Sequence, residues 1–297
     1  PTTQSKKIAP TVAEIRDPMI PMASRPTRLK RKPPTKAPTI PTPMLPKSPK
    51  PSPRITIPAS HPANAPMIKN AINPKTRSIF LIDPINPLGS TYNKDEKKAI
   101  CEVAEDHDIW LIDDITYRDY APNHTLAANI LPEKTITAYS VSKNCGLAGL
   151  RVGSLVGPKD FIKEIRGTMV SDLGISVVGQ RASVAALETK PEWLPGLLET
   201  ARYNQSLIKA VVDKIDGVEL PVYPSAASMM VIDISKHNAN PQDVQDKLLY
   251  DHDIFVRAGN YVSTRFGDNF IRVSFSIPTP EVERFIEAFP KVMDELS

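Results

Sequence analysis

The sequence predicts an α/β fold, a parallel-rich sheet layered with helices and followed by a smaller α+β domain. Two observations carry this. From residue 67 onward, short apolar runs alternate with segments of helical period, which is the pattern of stacked βαβ units. A chain of 297 residues, 41% hydrophobic and 24% charged, has material for a large core and more than one domain. The expected organisation is a Pro-rich basic arm over 1–66, a larger domain over 67–190 and a smaller one over 191–297.

The elements follow in order. Residues 67–72 read as the end of a helix and 78–82 as a strand. Asn93 caps a helix that runs to His107, with Ile100, Val103 and Ala104 on one face. Strands are expected at 109–112 and 135–139, with another at 154–156 beyond a glycine-rich loop. Helices are expected at 159–167 and 178–189, and a long one at 191–215 crosses toward the second unit. There, 218–223 and 227–234 read as strands, Asn240 with Pro241 starts a helix to Tyr250, 269–276 is an alternating strand, and Thr279 with Pro280 opens the last helix. Two Asp-His-Asp triplets, at 106–108 and 251–253, each precede an apolar run. They read as helix-to-strand junctions, where histidine suits a helix C-terminus, and not as metal sites, because neither has clustered partner ligands.

Residues 1–66 break the pattern. They hold 17 of the 31 prolines, no glycine, phenylalanine, tyrosine or tryptophan, and 12 Lys+Arg against 2 acidic residues. Such a segment buries too little apolar surface to offset its ordering entropy, so an extended, largely disordered arm is expected. It lacks the aromatic residues used for base stacking, which argues against nucleic acid as a partner. No stretch approaches the roughly 20 apolar residues of a membrane span. Cys101 and Cys145 make no disulfide framework, in keeping with a cytoplasmic protein.

The chemistry is concentrated in one loop. Ser140-Val141-Ser142-Lys143 is followed by Gly146, Gly149, Arg151 and Gly153, just after an apolar strand. A lysine amine can condense with an aldehyde, while hydroxyls and a guanidinium eight residues on can grip a phosphate. Ser140-x-x-Lys143 also fits the serine and lysine of penicillin-binding proteins, but the Lys-Thr-Gly and Ser-Asp-Asn companions are absent. The glycine spacing is not that of a dinucleotide loop.

Upstream, the strand at 79–82 runs into Asp83-Pro84-Ile85-Asn86-Pro87-Leu88-Gly89, and the run at 109–112 ends in Asp113-Asp114-Ile115-Thr116-Tyr117. Downstream, Arg272 alternates with Ile271 and Val273 and therefore faces away from them. Together these segments resemble the class I/II aminotransferases of fold type I, the aspartate aminotransferase superfamily, which use pyridoxal phosphate. The resemblance covers about residues 67–297.

The resemblance implies roles for each residue. Lys143 would bond the cofactor's aldehyde and then move the proton between Cα and C4′. Asn86 and Tyr117 would hold the phenolic oxygen, and Asp114 would keep the pyridine nitrogen protonated. Asp113 could take that place, but Thr116 would then stand where the phenol belongs. Ser140 and Arg151 would hold the phosphate, Ser142 would also bind the cofactor, and Asn86 and Arg272 would bind the substrate, Arg272 by its carboxylate. The implied activity moves an amino group between an amino acid and a 2-oxo acid in a homodimer. A lyase or decarboxylase on the same scaffold is an alternative, as is an inactive paralogue with a binding role. In the family, the region corresponding to 1–66 supplies a Gly/Ser-rich helix start and an aromatic residue stacked on the ring. Their absence predicts weak cofactor retention.

Overall fold

The computed structural model describes residues 55–56, 65–169 and 174–297. Five strands form one sheet in the order β1 (Ile55–Thr56), β2 (Ser78–Ile82), β3 (Trp110–Asp114), β4 (Thr135–Ser140) and β5 (Gly153–Val156). The first four are parallel and β5 pairs antiparallel to β4. Helix α1 (Ala65–Ala71) and helix α2 (Lys94–Asp106) pack together beside it. Of the expected arm, Ile55–Thr56 adds a strand to the sheet edge and α1 begins at Ala65; the rest of 1–64 lies outside the described residues.

Alternation decides which side of the sheet is covered. In β2, Ile79 and Leu81 are buried and in β3 Leu111, so this face packs on Ile100, Cys101 and Ala104 of α2. The helix starts where the sequence places it. Asn93 Oδ1 accepts from the backbone N–H groups of Asp95 and Glu96 at 2.9 Å each, and Glu96 Oε2 accepts from Asn93 N–H at 2.8 Å. This reciprocal cap contributes about 1 kcal/mol.

After β5 come α3 (Lys159–Thr168), α4 (Val177–Glu188) and the long α5 (Lys190–Val212). A second sheet, antiparallel, has the order β6 (Met229–Asp233), β8 (Phe270–Ser274), β7 (Arg257–Ala258). It packs on α5, α6 (Pro241–His252) and α7 (Thr279–Glu295) around Ile208, Met230, Ile232, Leu248, Ile271 and Phe289. Both Asp-His-Asp triplets lie at helix ends. His107 is the C-cap of α2 and Asp108 has φ 51°, while His252 closes α6 and Asp253 has φ 56°.

One expected strand is corrected. At 218–223 there is only a single bridge, Glu219 to Asp233, because Pro221 and Pro224 cannot donate to a ladder. Among the described residues, no helix is long and apolar enough to cross a membrane.

Candidate active site

The parallel strands deliver their C-terminal ends to one edge of the sheet, where an open α/β sheet holds its ligands. Register places Ile82 beside Asp114, Asp114 beside Ala138, and Ser140 beside Gly153. Asp83 N–H donates to Asp114 O at 2.9 Å, which fastens the start of the Asn86 loop to the end of β3.

Adjacent carboxylates at the end of β3 face opposite ways. Asp114 Oδ1 accepts from Thr116 N–H at 3.0 Å and from Thr116 Oγ1 at 2.6 Å. Asp114 also lines a cavity of about 550 Å³ with Thr116, Ser140, Gly153 and Leu155. Asp113 is fully buried under the sheet, accepting from Ala127 N–H at 3.0 Å and pairing with Lys97 Nζ at 3.2 Å. Lys97, also fully buried, reaches Asp83 at 2.5 Å, and His124 Nε2 lies 3.0 Å from the same Asp83 Oδ2. Thr91 Oγ1 donates to Asp83 Oδ1 at 2.7 Å.

The two acids of this cluster shift in opposite directions. Burial alone would raise Asp83, but the His124 bond and the Lys97 charge outweigh it and hold the carboxyl below its ordinary value. For Asp113 burial wins over Lys97 and the Ala127 N–H, and the carboxyl is raised.

A second group forms where the two sheets meet. Arg272 Nη1 donates to Asn86 Oδ1 at 3.1 Å, and the Asn86 side chain hydrogen-bonds the Tyr117 hydroxyl. Tyr117 is 5% exposed, and burial raises its phenol above the ordinary value of 10.0, so it stays a donor. The Asn86 loop is pinned from the other side at Gly89, whose φ is 76°. Ala226 N–H donates to Gly89 O at 2.7 Å, and a Cβ on Gly89 would overlap Ser225 Oγ. Gln205 on α5 fixes Ser225 in turn, accepting its N–H at 2.8 Å.

The lysine loop is held by a neighbour that the sequence reading missed. Asn144 is fully buried and bonds the Asp119 carboxylate and, at 2.7 Å, the Tyr139 hydroxyl, while Lys190 bonds Asp119 at 2.6 Å. Lys143 itself is exposed. Ser140 Oγ accepts from Ser142 N–H at 3.1 Å. Arg151 has φ 56° and donates through Nη1 to Ala148 O at 2.9 Å. The structure thus joins Asn86, Tyr117 and Arg272 directly and sets Asp114 and Ser140 on one cavity. Lys143 and Arg151 stand on the adjoining loop, without a hydrogen bond to the other site residues among those described.

This donor set fits pyridoxal phosphate. An amine, a carboxylate with both hydrogen bonds on one oxygen, a phenol–amide pair, and a hydroxyl–guanidinium loop match its aldehyde, ring nitrogen, phenolic oxygen and phosphate.

The fold and these residues define a cofactor-dependent enzyme scaffold of the aminotransferase type. The chain belongs to the family described as aminotransferase class I and II, which it matches over residues 54–289. It is 28% identical over 213 residues to a protein named "Probable N-acetyl-LL-diaminopimelate aminotransferase" from Bacillus subtilis, an alignment covering 71% of this chain and 53% of that protein. To an aspartate aminotransferase from Pyrococcus horikoshii it is 26% identical over 227 residues, covering 74% and 57%. The chain therefore spans little more than half the length of these relatives. A solved PLP-dependent aminotransferase from Streptococcus suis superimposes with a TM-score of 0.72 at 18% identity, covering 79% of this chain and 62% of that one. The aspartate aminotransferase of Rhizobium meliloti gives 0.70 at 24% identity, covering 79% and 62%.

Proposed function

We propose that the chain carries the catalytic machinery of a pyridoxal-phosphate aminotransferase, acting on an amino acid and a 2-oxo acid, in a cytoplasmic homodimer. The observation that carries this reading is the Arg272–Asn86–Tyr117 contact, with Tyr117 three residues after Asp114. Bound there, pyridoxal phosphate would supply an electron sink that lets the Cα–H bond of an amino acid break.

The remaining work falls to side chains. Arg272 grips the substrate carboxylate with its fork and so sets the angle of the Cα–H bond. Asn86, already bonded to Arg272 and Tyr117, ties that grip to the phenolic-oxygen contact, so both ends of the reacting unit share one reference point. Asp114 would hold the proton on the ring nitrogen, and Ser140 and Arg151, with Ser142 beside them in the chain, would hold the phosphate. Lys143, on a loop anchored through buried Asn144, would take the proton from Cα and return it two bonds away, at C4′.

The test is reduction with borohydride in the presence of pyridoxal phosphate, followed by peptide mapping. The label is expected on Lys143, with total loss of labelling in Lys143→Ala at unchanged far-ultraviolet dichroism. A label on another lysine overturns the assignment.

A further inference from the structure

Helix α5 buries one stripe in the core of the second sheet, at Ala201, Asn204, Gln205, Ile208 and Val212. That spacing is the apolar stripe of an amphipathic helix, yet two of its central positions are amides. Asn204 is fully buried and Gln205 is 4% exposed. Asparagine and glutamine are ordinarily surface residues, and burying an amide is tolerated only where hydrogen bonds replace those to water. Among the described residues, both side chains bond only to backbone groups, and only in two segments.

Gln205 holds Ser225 at two points. Its Oε1 accepts from Ser225 N–H at 2.8 Å and its Nε2 donates to Ser225 O at 3.2 Å. Ser225 passes the constraint on in two directions. Through its hydroxyl, which donates to Met229 O at 2.6 Å, it sets the start of β6, and register carries this to β8, because Met229 pairs with Ser274 and Val231 with Arg272. Through its neighbour Ala226, whose N–H donates to Gly89 O at 2.7 Å, it sets the end of the Asn86 loop. Asn204 grips β8 just past its end, where Nδ2 donates to Phe275 O at 2.9 Å and to Ile277 O at 2.8 Å. Both partners of the Arg272–Asn86 contact are thus fixed from adjacent positions on one helix.

A carboxylate takes two parallel bonds from a guanidinium only when the fork lies in its plane, so the backbone that carries the arginine must not drift. We propose that Asn204 and Gln205 are positioning residues for the substrate carboxylate. They act through backbone alone, holding β8 and the Asn86 loop in the relative placement that the Arg272 grip requires. Asp114, Ser140 and Arg151 lie on other segments, and among the described residues neither amide bonds to them. The carboxylate grip and the cofactor's ring and phosphate contacts are therefore separable. The inference rests on the aminotransferase reading for calling the ligand a substrate; the hold on the Arg272–Asn86 contact is tested separately.

Pyruvate, a 2-oxo acid with one carboxylate, is titrated calorimetrically into the full chain saturated with pyridoxal phosphate, and cofactor affinity is read from its visible absorption. Gln205→Met and Asn204→Leu are expected to weaken pyruvate binding roughly tenfold, as the loss of one of two charge-assisted bonds would, with cofactor affinity within about threefold. Gln205→Glu, which buried as the neutral acid keeps both an acceptor and a donor for Ser225, should recover most of the loss. Equal losses of pyruvate and cofactor, or pyruvate binding unchanged in both variants, overturn the proposal. If the unsubstituted chain takes up neither cofactor nor pyruvate, the aminotransferase reading fails. The positioning role is then decided by the nuclear magnetic resonance signal of the Asn86 side-chain amide, assigned by its loss in Asn86→Ala. That signal should shift in Gln205→Met and in Asn204→Leu and return in Gln205→Glu; a signal unmoved in the first two overturns the proposal.

Discussion

The two faces of the five-stranded sheet solve opposite problems with the same residue types. Below it, Asp83, Asp113, Lys97 and His124 are sealed from water and spend their charges on one another. Above it, Asp114, one residue from Asp113, keeps its side-chain hydrogen bonds among the described residues on Oδ1 and borders an open cavity. One face is closed. The other is unfinished by design of the strand alternation, because only groups without internal partners can bind something from outside. The closed face also serves the open one, since Asp83 opens the Asn86 loop just after β2 and Asp113 immediately precedes Asp114 in β3.

Lys97→Met breaks the contrast most severely. It leaves two carboxylates buried without their cation, and a loss of about 3–5 kcal/mol is expected in urea unfolding. A loss near zero would mean that water reaches this cluster. Acid gives a smaller effect of defined sign. Because Asp83 is lowered in the folded protein, its contribution is present above the ordinary carboxylate value of 3.8 and is lost as pH falls through the folded pKa. Asp113 is raised, so its protonation works the other way, adding stability as pH falls toward 3.8. Unfolding midpoints should therefore fall only as the pH drops below roughly 3.8, and fall less in Asp83→Asn. An unaltered acid limb in that variant would remove Asp83 from the account. The smallest stability effect belongs to the open face. Asp114→Asn retains an acceptor for Thr116 and should change stability by less than about 1 kcal/mol, while single-turnover proton transfer slows greatly. Unchanged turnover would show that Asp114 does not serve the ring nitrogen.

Much of this was legible from local pattern. Asn93 was expected as a helix cap and caps α2, and the apolar run at 78–82 ended where β2 ends, while Asp113 and Asp114 take opposite faces of the sheet. The Asp-His-Asp triplets marked helix ends because a chain leaving a helix needs a residue tolerant of positive φ, and Asp108 and Asp253 supply it. The buried cluster was not read, although the sequence carried a trace of it. Lys97 falls on the stripe of Ile100, Cys101 and Ala104, where helical spacing demands an apolar residue. A charge in that position announces a buried partner, but not which one, because Asp83 and Asp113 arrive from distant strands. Asn144 and Gln205 were missed for the same reason. Asp119 and Tyr139 complete Asn144, and the Ser225 backbone completes Gln205, and neither is visible in spacing along the chain.

The contact at Gly89 also bears on how the molecule can move. A backbone carbonyl and a hydrogen in place of a side chain are all that separate the Asn86 loop from Ser225, so the two sheets share a fixed point with no slack in it. A rotation of the second sheet against the first would turn about that point as a door turns on its pin. Displacement grows with distance from a pivot. Asn86, three residues away, would stay nearly still, while β7, the strand beyond β8 in the second sheet, would move more.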